Sequence, residues 1–194
     1  MPEHKDLTGS DLHEPKGIEL VTTDAKMIYF ADGAGSGEWK HHPGSVHGEM
    51  VIEGNTTAEV TPTAVDASLA TDTDYTKIIT GWQAGHEELI TFNTDELVVG
   101  IAGSYEIHFW ADILLPSNNQ KVGIKYAVND TAPYSIRKLI TNSSSAGDIV
   151  NVAGSGVVGP LSASDTLSVF IATDLAGDPT VLEAGLFVKL LDQS

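Results

Sequence analysis

Residues 103–114 read GSYEIHFWADIL. Tyr105, Ile107, Phe109, Ala111 and Ile113 fall on one side of this stretch, and Glu106, His108, Trp110 and Asp112 on the other. Side chains of an extended backbone alternate between faces, so this period of two predicts a strand with one face in a core. Three further stretches carry the same signal. In 121–130, KVGIKYAVND, Val122, Ile124, Tyr126 and Val128 alternate with Lys121, Gly123, Lys125 and Ala127. In 166–173, TLSVFIAT, Leu167, Val169 and Ile171 share a face. In 184–191, AGLFVKLL, Leu186, Val188 and Leu190 do the same. Turn-forming clusters separate these runs: PSNNQ at 116–120, NDTAP at 129–133, NSSSAGD at 142–148, SASD at 162–165 and DLAGDP at 174–179. No long segment repeats at 3.6 residues. The pattern predicts an all-β sandwich.

The faces opposite these core sets are not uniformly polar. They hold Trp110, Phe170, Phe187 and Leu191. A single exposed apolar group needs no explanation, but several large ones on sheet faces predict a covered surface. Two coverings are available. Either both faces of these strands are buried within one subunit, or the four residues form a subunit interface.

Upstream of this region the chain changes character. Residues 1–20 are polar and turn-forming, with Gly9, Pro15 and Gly17, and predict an extended arm without a core of its own. Residues 21–54 predict a small β and loop region: a short strand at Met27–Ala31, a glycine-rich hairpin stretch to Gly48, and a strand in EMVIEG. The segment 55–74, rich in Thr, Ala and Asp, predicts short strands and a connector. The sandwich is expected over 55–194.

The bulk numbers narrow the function classes. The chain has 194 residues, 41% of them hydrophobic, with a formal net charge of −17 and no cysteine. Its one arginine is Arg137. So acidic a surface repels phosphate backbones and argues against nucleic-acid partners. No run approaches the roughly 20 apolar residues of a spanning helix, so no membrane segment is expected. The absence of cysteine removes disulfides and thiol chemistry, and fits assembly in a reducing cytoplasm. The start, MPEHKDLTGSD, lacks the basic and apolar regions of a secretory signal.

An ordered set of motifs then resembles the C1q/TNF-like jelly-roll family. Trp82 is followed by ELITFNTDELVVG, then GSYEIHFWADI, KVGIKYAVND, VAGSGVVGPLSASDTLSVFIAT and the closing AGLFVKLL. The resemblance covers about residues 50–194. It implies a jelly-roll β-sandwich that assembles as a homotrimer, with aromatic and aliphatic residues of one sheet lining the trimer axis. Trp110, Phe170, Phe187 and Leu191 would supply that interface. The chain lacks the collagen-like repeats and heptad stalk of typical animal members. The head of the chain, DLTGSDLHEPKG at 6–17 followed by ADGAGSGEW, looks like the beginning of structural proteins of tailed-bacteriophage virions. That likeness implies a capsid decoration (cement) or head-fibre protein on the outer surface of the phage head. Its attachment arm, Asp6, Leu7, Thr8, Gly9, Ser10, Asp11, Leu12, His13, Glu14 and Pro15, would grip the major capsid protein or another virion protein. The alternative is a tail-fibre or receptor-binding protein that recognises a host surface glycan or protein, with Trp39, Trp82 and Tyr134 as groove candidates.

Site chemistry is sparse. His41, His42 and His47, with Glu38 or Glu49 nearby, match no zinc spacing. TDTD at 71–74 with Asp66 lacks the EF-hand pattern. GAGSG at 33–37 is neither a P-loop nor a nucleophile elbow. Glu87 and Glu88 are adjacent on a predicted strand and so point to opposite faces, which makes them a poor acid/base pair. The sequons at Asn55, Asn129 and Asn142 read as chance matches. The expectation is a non-enzyme without cofactor or metal.

Overall fold

A computed structural model describes residues 27–31, 37–42, 45–53, 58–59, 69, 75–131 and 139–193. Among them no α-helix occurs, and strands dominate. β1 (Met27–Ala31) and β2 (Gly37–His41) form an antiparallel hairpin. The next strands are β3 (His47–Ile52), β4 (Ala58–Glu59), β5 (Thr76–Lys77), β6 (Gln83–Glu88), β7 (Ile90–Asn93) and β8 (Glu96–Val99). Then come β9 (Gly103–Leu115), β10 (Lys121–Val128), β11 (Leu139–Asn142), β12 (Asp148–Leu161), β13 (Thr166–Thr173) and β14 (Thr180–Gln193).

The strands build two antiparallel sheets. The first has the order β12-β9-β14-β3-β6, with β4 paired to β14. The second has the order β11-β10-β13-β8-β7, with β5 paired to β13. From β9 onward the chain passes repeatedly between sheets: β9 lies in the first, β10 and β11 in the second, β12 in the first, β13 in the second and β14 in the first. The crossovers leave apolar residues from every long strand facing inward.

The period of two in 103–114 determines that core. β9 alternates along its whole length, with Tyr105, Ile107, Phe109, Ala111 and Ile113 buried. They meet Leu186, Val188 and Leu190 of β14, Met50 and Ile52 of β3, and Val122, Ile124, Leu167, Val169 and Ile171 of the facing sheet. Tyr105 is fully buried, and its hydroxyl donates to the Ile101 carbonyl. Burial raises its pKa to about 12, although that hydrogen bond acts the other way. Trp82 joins the same core, its indole N–H donating to the Ile78 carbonyl at 2.9 Å.

The second sheet departs from simple alternation. Gly123, Lys125 and Ala127 are buried as well as Val122, Ile124 and Tyr126. Leu69 and Tyr75 lie across the far side of β10 and β13, packed with Ala172 and Phe170. The Tyr75 ring covers Gly123 so closely that a Cβ there would strike its hydroxyl. The Lys125 ammonium sits 4.4 Å from the Tyr75 ring centroid, which gives the charge of a buried lysine a π face. At the β5 end, Lys77 pairs with Asp130 at 2.9 Å, Asp95 at 3.2 Å and Glu96 at 3.3 Å.

The packing makes a quantitative claim about β14. Leu186 has no exposed surface. Leu186→Ala should cost about 2–5 kcal/mol, measured by urea denaturation, because the close-packed sheets cannot collapse onto the void. A loss below about 1 kcal/mol would mean the residue is not in the core.

Candidate functional site

On the outer face of the first sheet the described side chains are exposed or half-buried, and the register arranges them in rows across five strands. One row runs Val157, Glu106, Lys189, His47, Glu88. The next runs Ser155, His108, Phe187, Glu49. The third runs Ala153, Trp110, Gly185, Val51, Gln83. A fourth holds Asn151, Asp112 and Glu183. Apolar groups thus fill the middle, and charged rows bound them.

Trp110 is the centre of this surface. It is 40% exposed, an unusual state for the largest apolar side chain. Its indole lies over Gly185 on β14, where any Cβ would collide with Nε1. The glycine lets the ring lie flat against the strand instead of standing away from it. Phe187 is the diagonal neighbour of Trp110, since Gly185 opposes Trp110 and Phe187 opposes His108. His47 and His108 flank the Phe187 ring, each with its centroid 6.2 Å away. His108 Nε2 is 3.1 Å from Glu106 Oε1. An open bowl of about 370 Å³ lies on this side, lined by His47, Glu49, His86, Phe187 and Lys189.

β12 adds a second feature. It spans 14 residues, pairs with β9 on one side, and lies at the edge of the sheet order. Its outer face carries Ile149 and Val157, 61% and 53% exposed. Long edge strands are normally shortened, charged or covered, because their free N–H and C=O groups template further pairing. Beside β12 a slot of about 20 Å³ opens between the sheets, lined by Ile107, Phe109, Ile124, Lys125, Tyr126 and Gly154–Gly156. Small-molecule sites usually occupy roughly 300 Å³ or more.

The four residues expected to share an interface separate on this frame. Trp110 and Phe187 sit together. Leu191 lies farther along β14, 41% exposed, where the register to β9 breaks between Leu190 and Asp192. Phe170 does not share their face. It belongs to β13 in the second sheet, opposite Lys125 and Lys77, and packs on Leu69, Tyr75 and Ala172. Burial within the subunit accounts for Phe170, and an exposed sheet face accounts for Trp110 and Phe187.

The attachment-arm residues Asp6, Leu7, Thr8, Gly9, Ser10, Asp11, Leu12, His13, Glu14 and Pro15 lie outside the described residues, as do Asp66, 71–74, Tyr134 and Asn55. His41 ends β2, His42 accepts the Ser45 backbone N–H at 2.8 Å through its carbonyl, and His47 begins β3. Among the described residues no three His, Cys, Asp or Glu side chains converge as a metal site would require. Glu87 accepts the Phe92 backbone N–H, while Glu88 is the register partner of His47. Sequence reading passed over the β12 edge and the grouping of His47 and His108 around Phe187. The alternation of Asn151, Ala153, Ser155 and Val157 against Val150, Val152 and Val158 marks β12 as a strand with one buried face, and its edge position follows only from strand order.

No family model matches the chain, and no curated protein matches its sequence. Solved structures match its fold. Eiger TNF from S. frugiperda aligns at a TM-score of 0.55 and 13% identity, over 77% of this chain and 94% of its own. The fold is a jelly roll of the TNF/C1q type. The globular domain of zebrafish complement 1qA protein aligns at 0.52 and 14% identity, over 77% of this chain and 99% of its own. At such identities the jelly roll is what is shared.

The contact between Trp110 and Gly185 can be tested directly. Gly185→Ala should push the indole off β14, with a changed tryptophan emission and near-UV circular dichroism while far-UV circular dichroism keeps the β signature. An unchanged tryptophan environment would contradict the placement of the ring.

Proposed function

We propose that this protein is a non-enzymatic structural subunit that assembles as a homotrimer through the outer face of its first sheet. The observation that carries this reading is the exposed Trp110 beside the half-buried Phe187 on the outer sheet face, bordered by a 14-residue strand at the end of the sheet order. A second copy covers both at once. The face and the edge are different patches on one molecule, so their contact is head-to-tail, and such contacts form a ring where the rotation between copies closes and a filament where it does not. Covering the remaining surface of Trp110 contributes about 2.5 kcal/mol, from roughly 100 Å² of exposed indole at ~25 cal/mol per Å². A stable interface needs about 800 Å² per partner, so Ile149, Val157, Leu191 and Ala153 have to be covered too.

The wider setting we infer is the virion of a tailed phage, with the trimer on the outer surface of the head as a decoration or head-fibre protein. The resemblance of residues 6–17 to the start of such proteins supports this. So do the absence of cysteine and the net charge of −17, which keeps a protein made in many copies dispersed. The arm, Asp6 to Pro15, is the attachment element in this reading, and three linked arms raise one another's effective concentration on a symmetric shell. In this reading the polar rows and the narrow slot serve packing.

Three experiments test the proposal. Trp110→Glu should leave the jelly roll folded and shift the sedimentation coefficient to that of a single subunit. A variant that assembles as the parent does would exclude Trp110 from the interface. A chain lacking residues 1–16 should still assemble but fail to bind purified particles. Undiminished binding would remove the arm from the attachment role. Mass spectrometry of particles should find the protein in high copy number relative to the major coat protein; a handful of copies would favour a tail tip.

A further inference from the structure

The strongest feature outside the aromatic pair is the set of imidazoles around Phe187. Among the described residues the strands of the first sheet carry six outward carboxylates, Glu49, Glu88, Glu106, Asp112, Glu183 and Asp192, on β3, β6, β9 and β14. Lys189 on β14 is the ammonium within those rows, and β12 contributes Asn151, Ser155 and no charge to them. Asp112 and Glu183 are direct register partners, a like-charge pair that costs stability even in one subunit. His47 and His108 flank Phe187 inside this field, and His86 lines the adjoining bowl. With neutral imidazoles these strands count one positive against six negative groups, a net of −5. With His47 and His108 protonated they count −3.

We propose that His47 and His108 form a proton-operated control on assembly, so that mild acid tightens the association of copies through this face. The inference rests on the reading of that face as the trimer interface. Covering this face at pH 8 takes water from a net negative surface, and the mutual repulsion of its carboxylates opposes contact, since the β12 edge brings no cation to them. Protonation of the two imidazoles lowers that negative charge by two where contact is made. The cation formed on His108 is 3.1 Å from Glu106, so the assembly buries a paired ion instead of a lone one. His47 stands between Lys189 on one side and Glu88 on the other, with Glu49 two residues along its own strand. The assembled state therefore holds protons more tightly than the free subunit, and linkage requires affinity to rise as pH falls through the imidazole range.

The test is sedimentation equilibrium of the full chain between pH 8 and pH 6, a window in which carboxylates stay ionised and imidazoles change charge. Kd should fall by at least about tenfold, which is 1.4 kcal/mol per interface. The double variant His47→Gln/His108→Gln should lose that dependence. Glu106→Gln, which removes a negative charge and the carboxylate paired with His108, should associate more tightly than the parent at pH 8 and respond less to acid. It decides the matter even where the double variant fails to assemble. A Kd that is flat or that rises toward pH 6 overturns the proposal. So does a full acid response in the double variant, or a Glu106→Gln protein no tighter than the parent at pH 8. A single subunit at every pH would refute the interface itself, an outcome distinct from a trimer indifferent to pH.

Discussion

β14 pairs antiparallel with β9 along most of its length and with β3 over 184–189, and that three-strand register sorts the side chains at the centre of the first sheet. Leu186, Val188 and Leu190 face the core against Phe109, Ile107 and Tyr105, and the same register turns Phe187 and Trp110 outward. A slip of one residue would exchange the two sets and place Lys189 and Glu183 inside, a cost no sandwich of this size could bear. Gly185 adds a steric check, because only a residue without a Cβ leaves room for the Trp110 ring on that strand. The aromatic surface is therefore a consequence of the core, fixed by the pairing that buries Tyr105.

Two opposed forces meet on that surface. Its middle rows hold Trp110, Phe187, Ala153 and Val51, which gain from leaving water. Its border rows are acidic, in keeping with a chain of net charge −17. The balance makes the face specific: a partner must match the apolar strip while keeping the carboxylates wet or paired, and a nonspecific apolar surface cannot do both. The second sheet has no such tension. Its far side is covered by Leu69 and Tyr75 of the same chain, so Phe170 and Lys125 are used up within the subunit.

The difference between the two sheets explains what sequence reading reached and what it missed. The alternation in 103–114 gave the faces of β9 residue by residue, because a strand's two faces are a local property. Which sheet a strand joins is not local. TLSVFIAT and AGLFVKLL look alike as patterns, yet crossovers send β13 to one sheet and β14 to the other, and so part Phe170 from Phe187. The burial of Lys125 was hidden for the same reason: the residue that covers it, Tyr75, is 50 positions away in the chain. The edge position of β12 is likewise a fact of strand order. The histidines were noticed in HHPGSVH as possible ligands, whereas the pairing of β3 with β14 makes His47 a neighbour of Phe187, and that of β14 with β9 brings in His108.

The central claim is that copies of this chain close over Trp110 and Phe187. Sedimentation equilibrium of the unmodified protein at micromolar concentration and neutral pH tests it most directly. The account predicts a species of three times the 20.5 kDa subunit mass. A homogeneous, folded species at the mass of one subunit across that concentration range would contradict it.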